Sequence, residues 1–334
     1  MKKALKITIF TVLLLVLVAA GYFFLGSKEP AEEITWGVNF SQKHSQALGL
    51  DWKENYSVLL DELQVKNIKV AAYWDLIEPE DDKFDFDDLD WQIEEAGKRN
   101  AKVLLAIGRK TPRWPECHLP AWAADLGKEE QQKKIMDMLR EVVLRYRDSD
   151  VIWGWQVENE PFFPFGECEW ADEDFLKEEV GLVKSLDIRG RPVVITESGE
   201  FPLWLNAPKY GDIVGITMYK KVWVHQIKHY FTYPFPPVYY HRKAEIVRAF
   251  FGKEVICIEL QAEPWGPKLL YDSPLEEQKK TMNLEQFRYN INFAKNTGLP
   301  AFYLWGAEWW YWMKEKQDSP EIWDEARKLF TSYD

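Results

Sequence analysis

The chain has 334 residues, and 42 Lys or Arg against 54 Asp or Glu give it a formal net charge of −12. Because a nucleic-acid-binding surface needs a basic stripe, and this acidic chain has no long run of Lys and Arg, nucleic acid is excluded as a partner. A hydrophobic content of 46% supports a large core and excludes a disordered chain.

The amino-terminal segment predicts a membrane anchor. Three lysines among the first six residues precede a continuous apolar run over residues 7–26, which is long enough to cross a bilayer core of ~30 Å. A cleaved signal peptide usually has a shorter apolar stretch, so we favour an uncleaved anchor; cleavage would instead give a secreted protein. The basic flank predicts a cytoplasmic amino terminus with the rest outside. We therefore divide the chain into an anchor with a short linker, residues 1–30, and one domain, residues 31–334.

Downstream of the linker, short apolar runs alternate with longer amphipathic segments. The runs predict eight strands at residues 34–40, 68–73, 102–107, 151–157, 192–196, 213–218, 255–258 and 301–305. Helical patterns lie between them at residues 52–63, 89–98, 128–146, 175–186, 240–250 and 276–296, with a weaker turn at 203–207. Eight parallel strands that alternate with helices predict an α/β fold of the (β/α)8 TIM-barrel type.

Two strand ends carry the residues that indicate chemistry. The apolar strand at 151–157 ends in Glu158-Asn159-Glu160 before a proline, and the strand at 255–258 ends in Glu259, followed by Glu263 and a Pro-Trp pair that ends at Trp265. Because active sites of such barrels form at the carboxyl ends of the strands, these carboxylates are expected at one opening.

Glycoside hydrolysis needs such a pair, with one carboxyl that stays protonated to donate to the leaving oxygen and one that stays ionised to attack the sugar. We predict Glu160 as the general acid/base and Glu259 as the nucleophile. Glu263 is a weaker candidate for the nucleophile and a candidate substrate contact. Asn159 is placed to hold the sugar 2-hydroxyl. The surplus of aromatic residues, with 17 Trp in the chain, suits stacking on sugar rings.

The chain resembles the clan A glycoside hydrolases, the retaining four-seven superfamily of barrels. The resemblance rests on Asn159-Glu160-Pro161, on Ile258-Glu259-Leu260, and on strand-end or loop aromatics at Trp74, Trp114, Tyr219 and Trp305. It implies acid/base chemistry on the fourth strand and a nucleophile on the seventh. It also implies that Tyr219 hydrogen-bonds the nucleophile, that Trp305 forms the floor under the cleaved sugar, and that Trp74 and Trp114 contact substrate. The motifs do not separate the cellulase-like from the galactosidase-like branch.

Other interpretations remain open from the sequence. The same two carboxylates would serve a transglycosylase, and a carbohydrate-binding barrel without turnover or an interaction scaffold at the cell envelope is the alternative outside catalysis. His225 and His229 would share one face of a helix, with His241 downstream, but no carboxylate lies at ligand spacing, so we expect no metal and no cofactor. Cys117 and Cys168 are candidates for one disulfide outside the cytoplasm, whereas Cys257 lies in an apolar run.

Overall fold

Eight parallel strands close into one barrel in the computed structural model of the chain. The barrel strands are β1 (Thr35–Asn39), β2 (Asn67–Ala71), β3 (Lys102–Ile107), β4 (Ile152–Val157), β5 (Val193–Glu197), β6 (Ile213–Met218), β9 (Glu254–Gln261) and β10 (Ala301–Trp305). They follow one another around the barrel in chain order, and β10 pairs with β1 to close it. The predicted (β/α)8 barrel and its eight strands are confirmed.

The structure describes residues 2–331, and side chains from residue 5 onward. The basic flank formed by the Lys2 and Lys3 side chains, and the last three residues of the predicted domain, lie outside this description.

Helices cover the barrel on its outside and fill the connections. Their bounds are α1 (Lys2–Phe24), α2 (Gln42–Ala47), α3 (Trp52–Asp61), α4 (Trp74–Ile77), α5 (Asp87–Lys98), α6 (Lys128–Tyr146), α7 (Glu173–Leu186), α8 (Ala207–Tyr210), α9 (Pro237–Phe251), α10 (Leu275–Gln278), α11 (Leu284–Lys295), α12 (Ala307–Gln317) and α13 (Glu321–Thr331), with 3-10 turns at Ala121–Ala123 and Leu270–Asp272. The helix predicted at 276–296 is two helices, because Asn283 caps a new helix with its side chain, which accepts from the Gln286 backbone N–H.

The inside of the barrel is filled by branched side chains. Leu104, Val194, Ile256 and Ile258 from three different strands are buried against one another and form a cluster separate from the main core. Such a layer makes the barrel a packed support rather than a pore, and leaves its carboxyl-end rim as the place where polar side chains can meet.

An antiparallel hairpin is inserted between β6 and α9. It consists of β7 (Lys221–Val224) and β8 (His229–Thr232), with Val224 paired to His229. The expectation that His225 and His229 share a helix face is therefore wrong: alternating aromatic and β-branched residues favour strands here, and His225 lies in the turn.

Among the residues that the structure describes, one helix contains a stretch long and apolar enough to cross a membrane, Leu5–Phe24. None of the apolar window is buried, and only the end of the helix contacts the barrel domain. Such a segment fits an anchor or a signal sequence.

Candidate active site

The segment after β4 holds Glu160 in an unusual backbone conformation. Glu158 and Glu160 have φ of 58° and 42°, the left-handed region that non-glycine residues rarely adopt. The Glu158 carboxylate accepts from the backbone N–H groups of Arg109 and Lys110 at 2.7 and 2.9 Å. The Glu160 N–H donates to Thr196 Oγ1 at 2.6 Å. These bonds hold the strained turn, so the Glu160 side chain is fixed at the rim of the barrel.

The surroundings of the Glu160 carboxyl favour its protonated form. Burial raises its pKa well above the ordinary value, and the negative charges of Glu259 and Glu116 raise it further. The hydroxyl of Thr217 donates to its Oε1 at 3.3 Å. A carboxyl that keeps its proton near neutral pH is what a general acid requires.

The Glu259 carboxylate, near the carboxyl end of β9, is contacted by a cation and a hydrogen-bond donor. Lys69 on β2 places its Nζ 3.1 Å from Glu259 Oε1, and the pair is almost completely buried. The Tyr219 hydroxyl donates to Glu259 Oε2 at 2.9 Å. An ammonium group and a phenol thus bind the two oxygens from two sides, an arrangement that stabilises the ionised carboxylate. Lys69 was missed at the sequence level because it looks like an ordinary polar residue within a short strand.

Asn159 contacts a third buried carboxyl group, that of Glu116. Its Nδ2 lies 3.3 Å from both oxygens of Glu116, and Gln156 Nε2 donates to its Oδ1 at 3.1 Å. Burial raises the pKa of Glu116 to about 8, although Lys110, with its Nζ 3.6 Å away, opposes the shift. The amide predicted to hold a sugar hydroxyl thus has Glu116 as a neighbour, and its contact with a sugar stays a prediction.

Glu263 forms the centre of a charged cluster. Arg113 binds it through both terminal nitrogens and also reaches Glu308 Oε2 at 3.2 Å. His44 Nε2 lies 3.4 Å from Glu263 Oε2. Burial alone would raise the pKa of Glu263, but the Arg113 charge lowers it to about 2. Glu263 is consequently an ionised carboxylate with Arg113 on both of its oxygens.

Arg113 also covers the expected sugar platform. Its guanidinium carbon lies 4.0 Å from the centre of the Trp305 ring, whose residue is 7% exposed. A narrow cleft beside it is lined by Asn39, Ser41, Lys69, Tyr73, Pro112 and Trp305 among others. Arg113 therefore covers one face of the Trp305 ring.

Arg113 and Glu116 belong to one loop after β3, which is tied to the next loop. Both have positive φ, 88° and 72°, and Cys117 is joined to Cys168 by a disulfide. The predicted disulfide is thus present. Arg113 and Glu116 were not predicted as site residues from the sequence. A loop of mixed polarity has no sequence pattern that predicts that it folds back over the barrel mouth.

An open aromatic rim lies outside the buried carboxyls. Trp265 packs edge-on against Tyr219 with ring centroids 4.9 Å apart, and Phe165 lies 5.7 Å from Trp265. Trp114 lies 6.0 Å from Phe165 and is 48% exposed. Trp74 is different, because its ring is fully buried and its Nε1 donates to Glu78 Oε2 at 2.7 Å. Trp74 supports the rim from beneath and offers no free face to a ligand.

Three acidic residues outside the mouth lie close enough together to bind one cation. The cluster comprises Glu78, Asp81 and Asp82, each of which has one carboxylate oxygen within 4.8 Å of an oxygen of the other two. Among the described residues, this is the one group of His, Cys, Asp or Glu side chains that lies so close together. Lys134 pairs with both aspartates, at 3.0 Å in the case of Asp82. Lys134 therefore offsets part of the negative charge of the cluster.

Comparison with known proteins gives a partial family match. Residues 44–125 match the model of glycoside hydrolase family 42, described as beta-galactosidase. This segment includes Lys69, Arg113 and Glu116 but neither Glu160 nor Glu259. A search of curated protein sequences finds no match.

Solved glycosidases share the fold. A beta-galactosidase from the haloarchaeon Halorubrum lacusprofundi matches with a TM-score of 0.57 and 17% identity over 81% of this chain. A GH5_18 protein from Bifidobacterium longum subsp. longum gives 0.57 and 16% over 82% of this chain and 70% of its own. An endo-beta-1,4-xylanase from Gloeophyllum trabeum gives 0.55 and 17%, over 82% of this chain and 85% of its own. The chain spans 52% of the haloarchaeal enzyme. The predicted resemblance to clan A glycoside hydrolases is confirmed by the shared fold and by the partial family match, with the branch unresolved.

Proposed function

We propose that this chain is a retaining glycoside hydrolase that cleaves a β-linked glycan by double displacement. Glu259 attacks the sugar carbon while Glu160 protonates the leaving oxygen; water, activated by Glu160, then releases the sugar from Glu259. The observation that carries the proposal is the contrast between the two carboxyls of one mouth. Glu259 is held by Lys69 and Tyr219, whereas burial and neighbouring negative charge keep the proton on Glu160.

The substrate class follows from the rim and from the relatives. Trp114, Phe165 and Trp265 offer exposed or half-exposed rings next to the carboxyls, and such rings stack on sugar faces. A glycan longer than one residue would use them. Because the matched family is described as beta-galactosidase, a β-galactoside is the first substrate to try.

The location that we propose is the outer face of a membrane, with α1 as an uncleaved anchor and residues 31–334 as the catalytic domain. The apolar stretch Leu5–Phe24 is long enough to span a bilayer. The Cys117–Cys168 disulfide suits a compartment outside the cytoplasm.

The test is turnover of aryl β-glycosides, beginning with the β-galactoside, by the full chain and by the Glu160→Gln and Glu259→Gln variants. We expect each substitution to abolish turnover and to leave the circular dichroism spectrum unchanged. Glu167→Gln, an exposed carboxylate of the loop that follows β4, is the matched control and should retain activity. Full activity of either the Glu160 or the Glu259 variant would reject the assignment.

Azide rescue separates the two roles. A small residue at 259 leaves room for azide to attack the sugar directly, so the glycosyl azide should have the inverted configuration, whereas rescue at 160 should give the retained one. Product analysis with added acceptor sugars distinguishes a hydrolase from a transglycosylase. Sugar binding without any turnover across the β-glycoside panel would favour a carbohydrate-binding barrel.

A further inference from the structure

The anchor helix ends against the carboxyl-end side of the barrel. Phe24 packs on Tyr239 and Phe235, with ring centroids 5.6 and 6.2 Å away, and the guanidinium of Arg242 lies 4.9 Å from the centre of the Tyr22 ring. Tyr239 is in the first turns of α9, which begins near the rim because it follows β6 and the hairpin.

The linker then runs back toward the other end of the barrel. Lys28 lies beside Gly298, since a Cβ added to that glycine would come within 2.8 Å of Lys28 Cγ. Gly298 lies three residues before Ala301, where β10 begins at the base of the barrel. The anchor therefore leaves the barrel near the mouth, and the linker takes the chain back to the base, where β1 begins.

A continuous run of rings connects the end of the anchor with the mouth. Tyr239 stacks on Phe235 with centroids 4.4 Å apart, Phe235 stacks on Tyr233 at 6.2 Å, and Tyr233 meets Phe201 at 5.5 Å. Burial raises the pKa of Tyr233 to about 12, and the charges of Glu200 and Glu160 contribute to the shift. The run thus ends close to the predicted acid.

The chain around the hairpin lacks acidic residues, unlike the rest of the protein. Residues 213–244 contain no Asp or Glu in a protein with 54 of them, and they contain four lysines, one arginine and three histidines. Lys228, His225 and His229 are exposed at or beside the hairpin turn. The hairpin thus carries two lysines, Lys221 and Lys228, and no carboxylate of its own. Lys243 is buried and adds nothing to the charge of this surface.

Apolar side chains are exposed on the same face. Ile227 at the turn is 62% exposed, and Phe201 and Phe231 are 66% and 39% exposed. Exposed large apolar residues next to basic ones, with Tyr and Phe at the boundary, form the pattern of a surface that lies in the headgroup region of a bilayer.

We propose that the β7–β8 hairpin and Phe201, which together we call the hairpin face, dock on an anionic lipid surface. The proposal rests on the anchor proposed above and not on the glycosidase chemistry. The bilayer is the occupant because the apolar span ends next to this face, so a membrane that holds α1 lies within reach of the hairpin. Lysines and histidines meet anionic headgroups while Ile227 and Phe231 enter the boundary below them. Docking would hold the mouth at the membrane, where the glycan headgroup of a lipid or a glycan near the surface can reach Glu160.

The experiment measures the depth of the hairpin turn in vesicles that contain the full chain. Ile227→Cys is labelled with an environment-sensitive thiol dye; the free Cys257 is buried and the other two cysteines form a disulfide, so the label goes to the new residue. Ile188→Cys is the matched control, because Ile188 is 69% exposed but follows α7 at the base of the barrel. Vesicles of phosphatidylcholine, with and without phosphatidylglycerol, carry a spin-labelled lipid that quenches the dye.

We expect quenching at position 227 and not at 188, stronger with phosphatidylglycerol and weaker at high salt. In the labelled Ile227→Cys protein, Lys228→Glu should lower the ratio of docked to undocked protein about fivefold or more. No quenching at 227, or equal quenching at both positions, would overturn the proposal. Quenching that does not depend on phosphatidylglycerol would overturn the assignment to anionic lipid. The readout does not use turnover, so its failure is distinguishable from failure of the proposed function.

Discussion

Replacing Lys69 by Met should lower the free energy of unfolding by about 3–5 kcal/mol at neutral pH. Lys69 Nζ lies 3.1 Å from Glu259 Oε1, and the two side chains are 2% and 5% exposed. At an effective dielectric constant of about 20 their attraction is about 5 kcal/mol. Removing one partner of a buried pair typically costs about 3–5 kcal/mol, because the remaining charge stays buried without compensation.

The assay is thermal unfolding of the full chain in detergent, followed by circular dichroism. At roughly 2 °C per kcal/mol for a domain of this size, the midpoint should fall by roughly 6–10 °C. The control is the double variant Lys69→Met/Glu259→Gln, which leaves no unpaired charge and should recover most of the loss. A single variant that melts with the wild type, or a double variant whose loss equals the sum of the two single losses, would refute the reasoning.

The remaining predictions concern the chemistry and the loop. Tyr219→Phe removes the hydrogen bond to Glu259, and a hydrogen bond to a charged group contributes about 1.5–3 kcal/mol, so kcat should fall roughly 10- to 150-fold. The control Tyr233→Phe removes a hydroxyl that does not contact Glu259 and should change kcat little. Glu116, with a pKa of about 8, is ionised above that pH and then raises the pKa of Glu160. Activity that needs protonated Glu160 is lost as pH rises through the pKa of Glu160, so Glu116→Gln should move the alkaline limb of kcat/KM to lower pH. An unchanged limb would contradict this assignment. Replacing both Cys117 and Cys168 by Ser opens a loop of 51 residues and should cost about 2–4 kcal/mol in thermal unfolding, and an unchanged midpoint would show that the link does not stabilise the fold.

The barrel could be predicted because its signals are local. Each strand is a short apolar run that ends in polar residues, as at Val157 before Glu158, and parallel strands buried on both faces give such runs. Glu160 and Glu259 follow from the same rule, since the carboxyl ends of β4 and β9 meet at one rim.

The charged surroundings of these glutamates could not be predicted, because they depend on how distant segments meet. Lys69 lies 190 positions from Glu259, and Arg113 lies 150 positions from Glu263. The β7–β8 hairpin was missed for another reason: its strands have four residues each, too short for a period to be recognised.

The proposal gives the two carboxyls different roles because their surroundings differ, and not because of their positions alone. Lys110 is close enough to act on Glu160, but its Nζ is bound to the backbone oxygens of Glu160 and Phe163 at 3.1 and 2.8 Å, so the Glu160 carboxyl has no direct cation partner. Glu259 has Lys69 on one oxygen and Tyr219 on the other. Exchanging the roles would require a proton on the carboxyl that contacts an ammonium and a negative charge on the carboxyl that lacks one. The electrostatic cost of that exchange is the argument for the proposed roles, with Glu259 as the nucleophile and Glu160 as the acid.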